Sequence, residues 1–121
     1  MNKKSTVFCD IDGTIVMHRK FEDLDSVPAE LTPHAMKIND WHDAGHHIIL
    51  TTARPESLRE LTVAELEGLG LKWSRLIMGI GRGPRILIND EEPSGSGPKA
   101  IAFSLQRNSG FANVTPDCLN N

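Results

Sequence analysis

The chain has 121 residues, 39% of them hydrophobic and 24% charged, with a formal net charge of −3. That length suits one domain with a core of its own, spanning residues 1–121, and the apolar content excludes a disordered chain. The acidic balance disfavours broad adhesion to nucleic acid, and no stretch approaches the ~18 apolar residues of a membrane span. Met-Asn-Lys-Lys leads into a strand rather than a secretory leader, and only Cys9 and Cys118 occur, one in a strand and one in a polar tail. No disulfide is expected, and a reducing cytoplasm fits best.

Residues 5–10 read as a first strand, and residues 13–30, polar and mixed, as a small hairpin or flap. Thr32-Pro33 gives a helix start, with Thr32 as N-cap; Leu31, Ala35, Ile38 and Trp41 or His42 recur at helical spacing, and Gly45 ends the run. Residues 47–52 form a second strand ending in hydroxyls. Arg54-Pro55 opens a second helix with Leu58, Leu61 and Leu69 on one face, stopped by Gly68 and Gly70. Residues 75–78 read as a third strand and 85–90 as a fourth, ending in acid. Residues 100–105 favour a fifth strand, with a helix as the alternative, and residues 108–121 read as a weakly ordered tail. Strand–helix alternation of this kind predicts an α/β sandwich with a mainly parallel, five-stranded sheet.

Three of these strands end in polar groups: Asp10 and Asp12, Thr51 and Thr52, Asn89 and Asp90. In a parallel sheet such ends share one edge, where ligands bind. Carboxylates about 4 Å apart repel by roughly 4 kcal/mol at an effective dielectric near 20, so three of them gathered together call for a divalent cation. All-oxygen ligation without nearby Cys or His points to Mg²⁺. An EF-hand loop is excluded, because a strand precedes Asp10 and Phe21 stands where the twelfth-position Glu is required. His34, His42, His46 and His47 read as structural or solvated, and Trp41 and Trp73 as packing.

Asp10-Ile11-Asp12-Gly13-Thr14 resembles the D-x-D-G-T signature of haloacid dehalogenase (HAD) superfamily phosphatases. Leu50-Thr51-Thr52-Ala53-Arg54 resembles that family's second motif, and Ile86-Leu87-Ile88-Asn89-Asp90 its fourth, with Asn89 where the family often carries a first acid. The resemblance covers most of residues 5–105. It implies a Rossmann-like three-layer core with a small flap and no cap domain. It also implies Asp10 as the nucleophile, forming an aspartyl-phosphate, and Asp12 as general acid and base. Mg²⁺ would be held by Asp10, the carbonyl of Asp12, and Asp90. Thr52, or Thr51 in its place, would hydrogen-bond phosphate, with Gly13, Thr14, Ala53 and Arg54 also at the substrate. The cation of the third motif has several candidates: Arg82 first, because it lies in a Gly-rich loop, then Arg85, with Lys72 and Lys99 behind.

The resulting expectation is a phosphomonoesterase acting on a phosphorylated sugar or related metabolite. An open cleft suits a protruding phosphate, or a homo-oligomer whose neighbour completes the pocket. The alternatives are a phosphatase of nucleic-acid ends or phosphoproteins, a receiver-like phospho-acceptor, and a degenerate, non-catalytic binding subunit. The receiver reading is weakened because the third strand ends at Met78-Gly79 with no aspartate.

Overall fold

The computed structural model describes residues 3–95 and 97–119. It contains three strands, β1 (Thr6–Asp10), β2 (His47–Thr51) and β3 (Arg75–Ile77), and two helices, α1 (Lys37–Asp43) and α2 (Arg59–Gly68). The sheet is parallel throughout, in the order β1-β2-β3, with Asp10 opposite Thr51 and Thr51 opposite Ile77. Both crossovers step in the same direction along the sheet, so right-handed connections put both helices on one face. The core lies there: Cys9, Ile48 and Leu50 of the sheet pack with Ile38 and Trp41 of α1 and Leu66 of α2. The opposite face is open at Phe8 and Ile77, and among the described residues the layers are two rather than the expected three.

The expected fourth and fifth strands are absent from residues 85–90 and 100–105, so the sheet has three strands among the described residues. Ile86 and Ile88 are 83% and 88% exposed. A strand exists only through pairing, and here the segment is closed on itself instead. Arg85 donates to the carbonyls of Gly81 and Gly83, and Lys99 pairs with Asp90. β1 consequently ends the sheet with one edge unpaired.

Three local expectations are corrected. α1 begins at Lys37, not after Thr32. The Thr32 hydroxyl donates to the carbonyls of Thr14 and Ile15, and His34 takes φ +59°, so residues 33–36 turn before the helix starts. α2 begins at Arg59 after a 3-10 turn over Glu56–Leu58, and its buried positions are Thr62 and Leu66 rather than Leu58 and Leu61. The C-terminal segment is also packed rather than loose. Phe111, Val114 and Leu119 are buried, the Phe111 ring meets Trp41 at 6.3 Å, and Lys37 Nζ donates to the Phe111 carbonyl at 2.8 Å. Residues 15–32 form a flap closed at its base by Met17 N–H to Glu30 O and Thr32 N–H to Ile15 O.

Asn39, buried on α1, accepts from Lys72 N–H and donates to Gly70 O, both at 2.8 Å, which fixes the turn between α2 and β3. Gly110 is required where the C-terminal segment crosses Pro33. Its φ is +85°, and a Cβ there would lie 2.2 Å from the Pro33 carbonyl oxygen. Gly110→Ala is therefore expected to lower unfolding free energy by at least about 2 kcal/mol. Gly68→Ala, in open space inside α2, should raise it by up to about 1 kcal/mol. Urea denaturation midpoints at constant slope measure both; equal effects of the two substitutions would refute the crossing contact.

Candidate active site

The carboxyl ends of β1 and β2 meet at a cleft of about 280 Å³. β1 delivers Asp10 there, and the chain then wraps tightly around Ile11: the N–H groups of Thr14, Ile15 and Val16 all donate to the Ile11 carbonyl. Ile11 is fully buried and anchors this loop. Gly13 stands at φ +85° with its bare Cα under Arg107, whose Cγ would lie 3.2 Å from a Cβ. A side chain at position 13 would thus meet both strain and a neighbour. The Thr14 hydroxyl donates to Asp10 Oδ2 at 3.1 Å, which orients the carboxylate.

Burial raises the Asp10 carboxyl above its ordinary range. The Thr14 hydroxyl bond opposes that rise, the neighbouring Asp12 adds to it, and Arg85 lowers it. Among the candidate cations, Arg85 lines the cleft with Asp10. Arg82 also lines the cleft. Lys72 is paired with Asp43 at 2.9 Å and Lys99 with Asp90 at 2.6 Å; neither lines the cleft.

Asp12 is held differently. Arg54 Nε and Nη2 donate to its two carboxylate oxygens at 3.0 and 2.7 Å, the bidentate geometry that planar guanidinium favours. The remaining Arg54 nitrogen donates to Thr62 Oγ1 at 3.0 Å and Glu65 Oε2 at 2.9 Å. Glu65 in turn takes both Nη groups of Arg19, at 2.9 and 3.0 Å, and Arg19 also donates to the carbonyls of Leu24 and Val27 in the flap. The result is a charge-balanced chain, Asp12–Arg54–Glu65–Arg19, running from the β1 loop through α2 to the flap. Burial pulls the Arg54 guanidinium down, but the Asp12 and Glu65 carboxylates outweigh it and hold it above its ordinary value.

Thr52 is buried, and its hydroxyl accepts the Arg54 N–H at 3.1 Å in a local turn rather than capping α2. It lines the cleft beside Ala53. Thr51 contributes its carbonyl to Ile11 N–H. Asp90 is not brought to this site: its side chain is 74% exposed and ion-paired with Lys99. Among the described residues, no group of three or more acids, His or Cys is arranged to hold a metal.

Sequence reasoning missed Glu65 and Arg107. Glu65 lies one turn after Thr62 on the inner side of α2, and an acid at such a position is the signal that could have found it. Arg107 gave no signal, because its place depends on the docking of the C-terminal segment. Asn108 N–H donates to Gly13 O at 2.8 Å, and Asn108 Oδ1 accepts His18 N–H at 2.7 Å. Elsewhere, burial pushes the Cys9 thiol up to about 12, which removes it as a nucleophile. His46 is structural, accepting Ser5 N–H on Nδ1 at the far end of β2, and burial lowers its pKa.

Glu65→Ala leaves the buried Arg19 without its carboxylate and strips Arg54 of one of two, so a loss of about 3–5 kcal/mol in stability is expected by chemical denaturation. A loss below about 1 kcal/mol would show that water replaces the carboxylate freely. In metal-free buffer Asp10→Asn should have the opposite effect. The folded-state pKa of Asp10 is raised, so its favourable contribution exists at low pH and disappears as pH rises through its titration. The variant should therefore melt above the parent at pH 7, with the gap narrowing towards pH 4; a gap independent of pH would contradict a buried, charge-penalised carboxylate.

No helix among the described residues is long and apolar enough to cross a membrane. Searches of protein-family models, curated proteins and solved structures return no match to this chain.

Proposed function

We propose that the chain is a magnesium-dependent phosphomonoester hydrolase of the HAD type, without a cap, which works through an aspartyl-phosphate on Asp10. The observation that carries this reading is the pairing of two acids with different surroundings in one cleft. Asp10 is aimed by Thr14 and influenced by Arg85, while Asp12 is clamped by Arg54. Because the two carboxylates are held separately they can take different roles: Asp10 as nucleophile once bound Mg²⁺ offsets its burial, and Asp12 in proton transfer once an oxygen leaves Arg54.

In the proposed reaction an Asp10 oxygen bonds to phosphorus as the ester P–O bond breaks. The leaving oxygen takes a proton from Asp12. A water then attacks the phosphoryl group, gives its proton back to Asp12, and frees Asp10 and orthophosphate. Both Asp12 oxygens accept from Arg54, so one must turn into the cleft to carry the proton. Thr52 retains its own hydroxyl hydrogen to offer a phosphate oxygen, and Arg85 offsets the charge gathered at Asp10.

The donor set around Asp10 suits Mg²⁺ held together with phosphate rather than a preassembled cage. The Asp10 carboxylate and the Asp12 carbonyl would supply two oxygens, and this ion characteristically keeps waters and takes phosphate oxygens for the rest. When bound, Mg²⁺ supplies charge neutralisation between phosphate and nucleophile. Asp90 would join only if residues 85–90 paired along the free edge of β1, which would add a fourth strand and extend the sheet towards the expected Rossmann-like form. The exposure of Ile86 and Ile88, together with that of Phe8 (61%) on the edge strand β1, supports that pairing. The exposed position of Asp90 favours one rival, a phosphate-binding module without turnover.

Hydrolysis of p-nitrophenyl phosphate separates these readings. Turnover is expected with Mg²⁺, none after EDTA, a fall of about a thousandfold or more for Asp10→Asn, and of about 10²–10⁴ for Asp12→Asn. Activity that survives Asp10→Asn would falsify the aspartyl-phosphate route. Asp90→Asn tests the extended sheet: a loss of tenfold or more supports its docking, and unchanged kcat/KM assigns Asp90 to the surface.

A further inference from the structure

Three arginines line the cleft without a carboxylate partner among the described residues: Arg82, Arg85 and Arg107. The other two lining arginines, Arg19 and Arg54, are already matched by Glu65 and Asp12. Asp10 alone therefore faces three unmatched positive charges. A phosphomonoester dianion held with Mg²⁺ brings no net charge, so the occupied cleft would still carry two positive charges in excess.

Those charges are not equivalent in place. Arg82 and Arg85 come from the loop after β3 and line the cleft together with Asp10. Arg107 stands elsewhere, over Gly13, the residue that follows the proposed proton donor Asp12. The leaving oxygen has to lie beside Asp12, so Arg107 borders the part of the substrate beyond the ester. Its location is built into the fold. Asn108 adopts φ +66° to bond Gly13 O and receive His18 N–H, which clamps the turn carrying Arg107 onto both the loop after β1 and the base of the flap. An asparagine tolerates that backbone better than most residues.

We infer that Arg107 binds a second anionic group of the substrate, so that the cleft selects phosphomonoesters whose alcohol portion carries a carboxylate or another phosphate. The inference rests on the phosphomonoesterase reading and deepens it to a substrate class. Arg107 acts in recognition: it is a specificity residue, and the bond-making steps are left to Asp10 and Asp12.

The test uses the full chain with Mg²⁺ and two matched pairs of substrates. 3-Phosphoglycerate against glycerol 3-phosphate isolates the carboxylate, and fructose 1,6-bisphosphate against fructose 6-phosphate isolates the second phosphate. In at least one pair the doubly anionic member should show about tenfold higher kcat/KM, carried by KM, and the responding pair identifies the group. Arg107→Gln should lower kcat/KM for the doubly anionic member about tenfold more than for the singly anionic one, and Arg107→Lys should retain part of the preference. Equal treatment of both members in both pairs, or equal losses on both in Arg107→Gln, would overturn the assignment. Calorimetric titration of Asp10→Asn with the same four compounds and with orthophosphate reads binding without turnover. Binding of orthophosphate with no gain from the second anion would sink this inference alone; no binding of any of them would sink the parent reading and this inference together.

Discussion

The Asp12–Arg54 pair is the contact on which the arrangement of the cleft depends. A carboxylate at the end of a buried strand is destabilising unless a cation meets it. Here the cation is itself buried, so it needs a second acid, and Glu65 of α2 supplies that. Glu65 then recruits Arg19, which is tied to two carbonyls of the flap. Each charge thus creates the requirement that the next one meets, and the chain of pairs links the β1 loop, α2 and the flap. Pairs this well shielded from solvent are far more sensitive to loss of one member than surface ion pairs, such as Arg59–Glu56, whose net worth is small.

The sheet imposes the second constraint. Its order places every observed crossover on one side, so the core of Ile38, Trp41, Ile48, Leu50 and Leu66 is one-sided. The other face retains exposed Phe8 and Ile77, and β1 has a free edge among the described residues. Apolar residues at an unpaired edge invite a partner strand, and residues 86–88 are apolar and exposed in the same molecule. The proposed pairing of these two features would satisfy both at once and add Asp90 to the acids at the strand ends. The proposed metal and the proposed fourth strand are therefore coupled questions.

The C-terminal segment has a structural task and a chemical one. Phe111, Val114 and Leu119 close the core beside Trp41, while Lys37 donates to the carbonyls of Phe111, Ala112 and Val114. The same docking carries Arg107 over Gly13, so a segment with no motif of its own supplies a lining residue of the cleft.

Much of the cleft could be read along the chain, because the signals are short-range. An apolar run ending in Asp10-Ile11-Asp12-Gly13-Thr14, and another ending in Thr51-Thr52, are strands with polar tips, and parallel pairing brings such tips to one edge. The α/β class followed from strand–helix alternation for the same reason. Helix starts were misjudged where distant partners intervened: Thr32 is drawn to the Thr14 and Ile15 carbonyls, and Arg54 is drawn inward by Asp12 and Glu65. Residues 85–90 carry the apolar run of a buried strand, yet such a run expresses a preference for burial and cannot name the neighbour that provides it. Glu65 and Arg107 were invisible for a related reason. Their importance comes from residues 46 and 94 positions away along the chain, Arg19 and Gly13, and such contacts exist only once the chain has closed on itself.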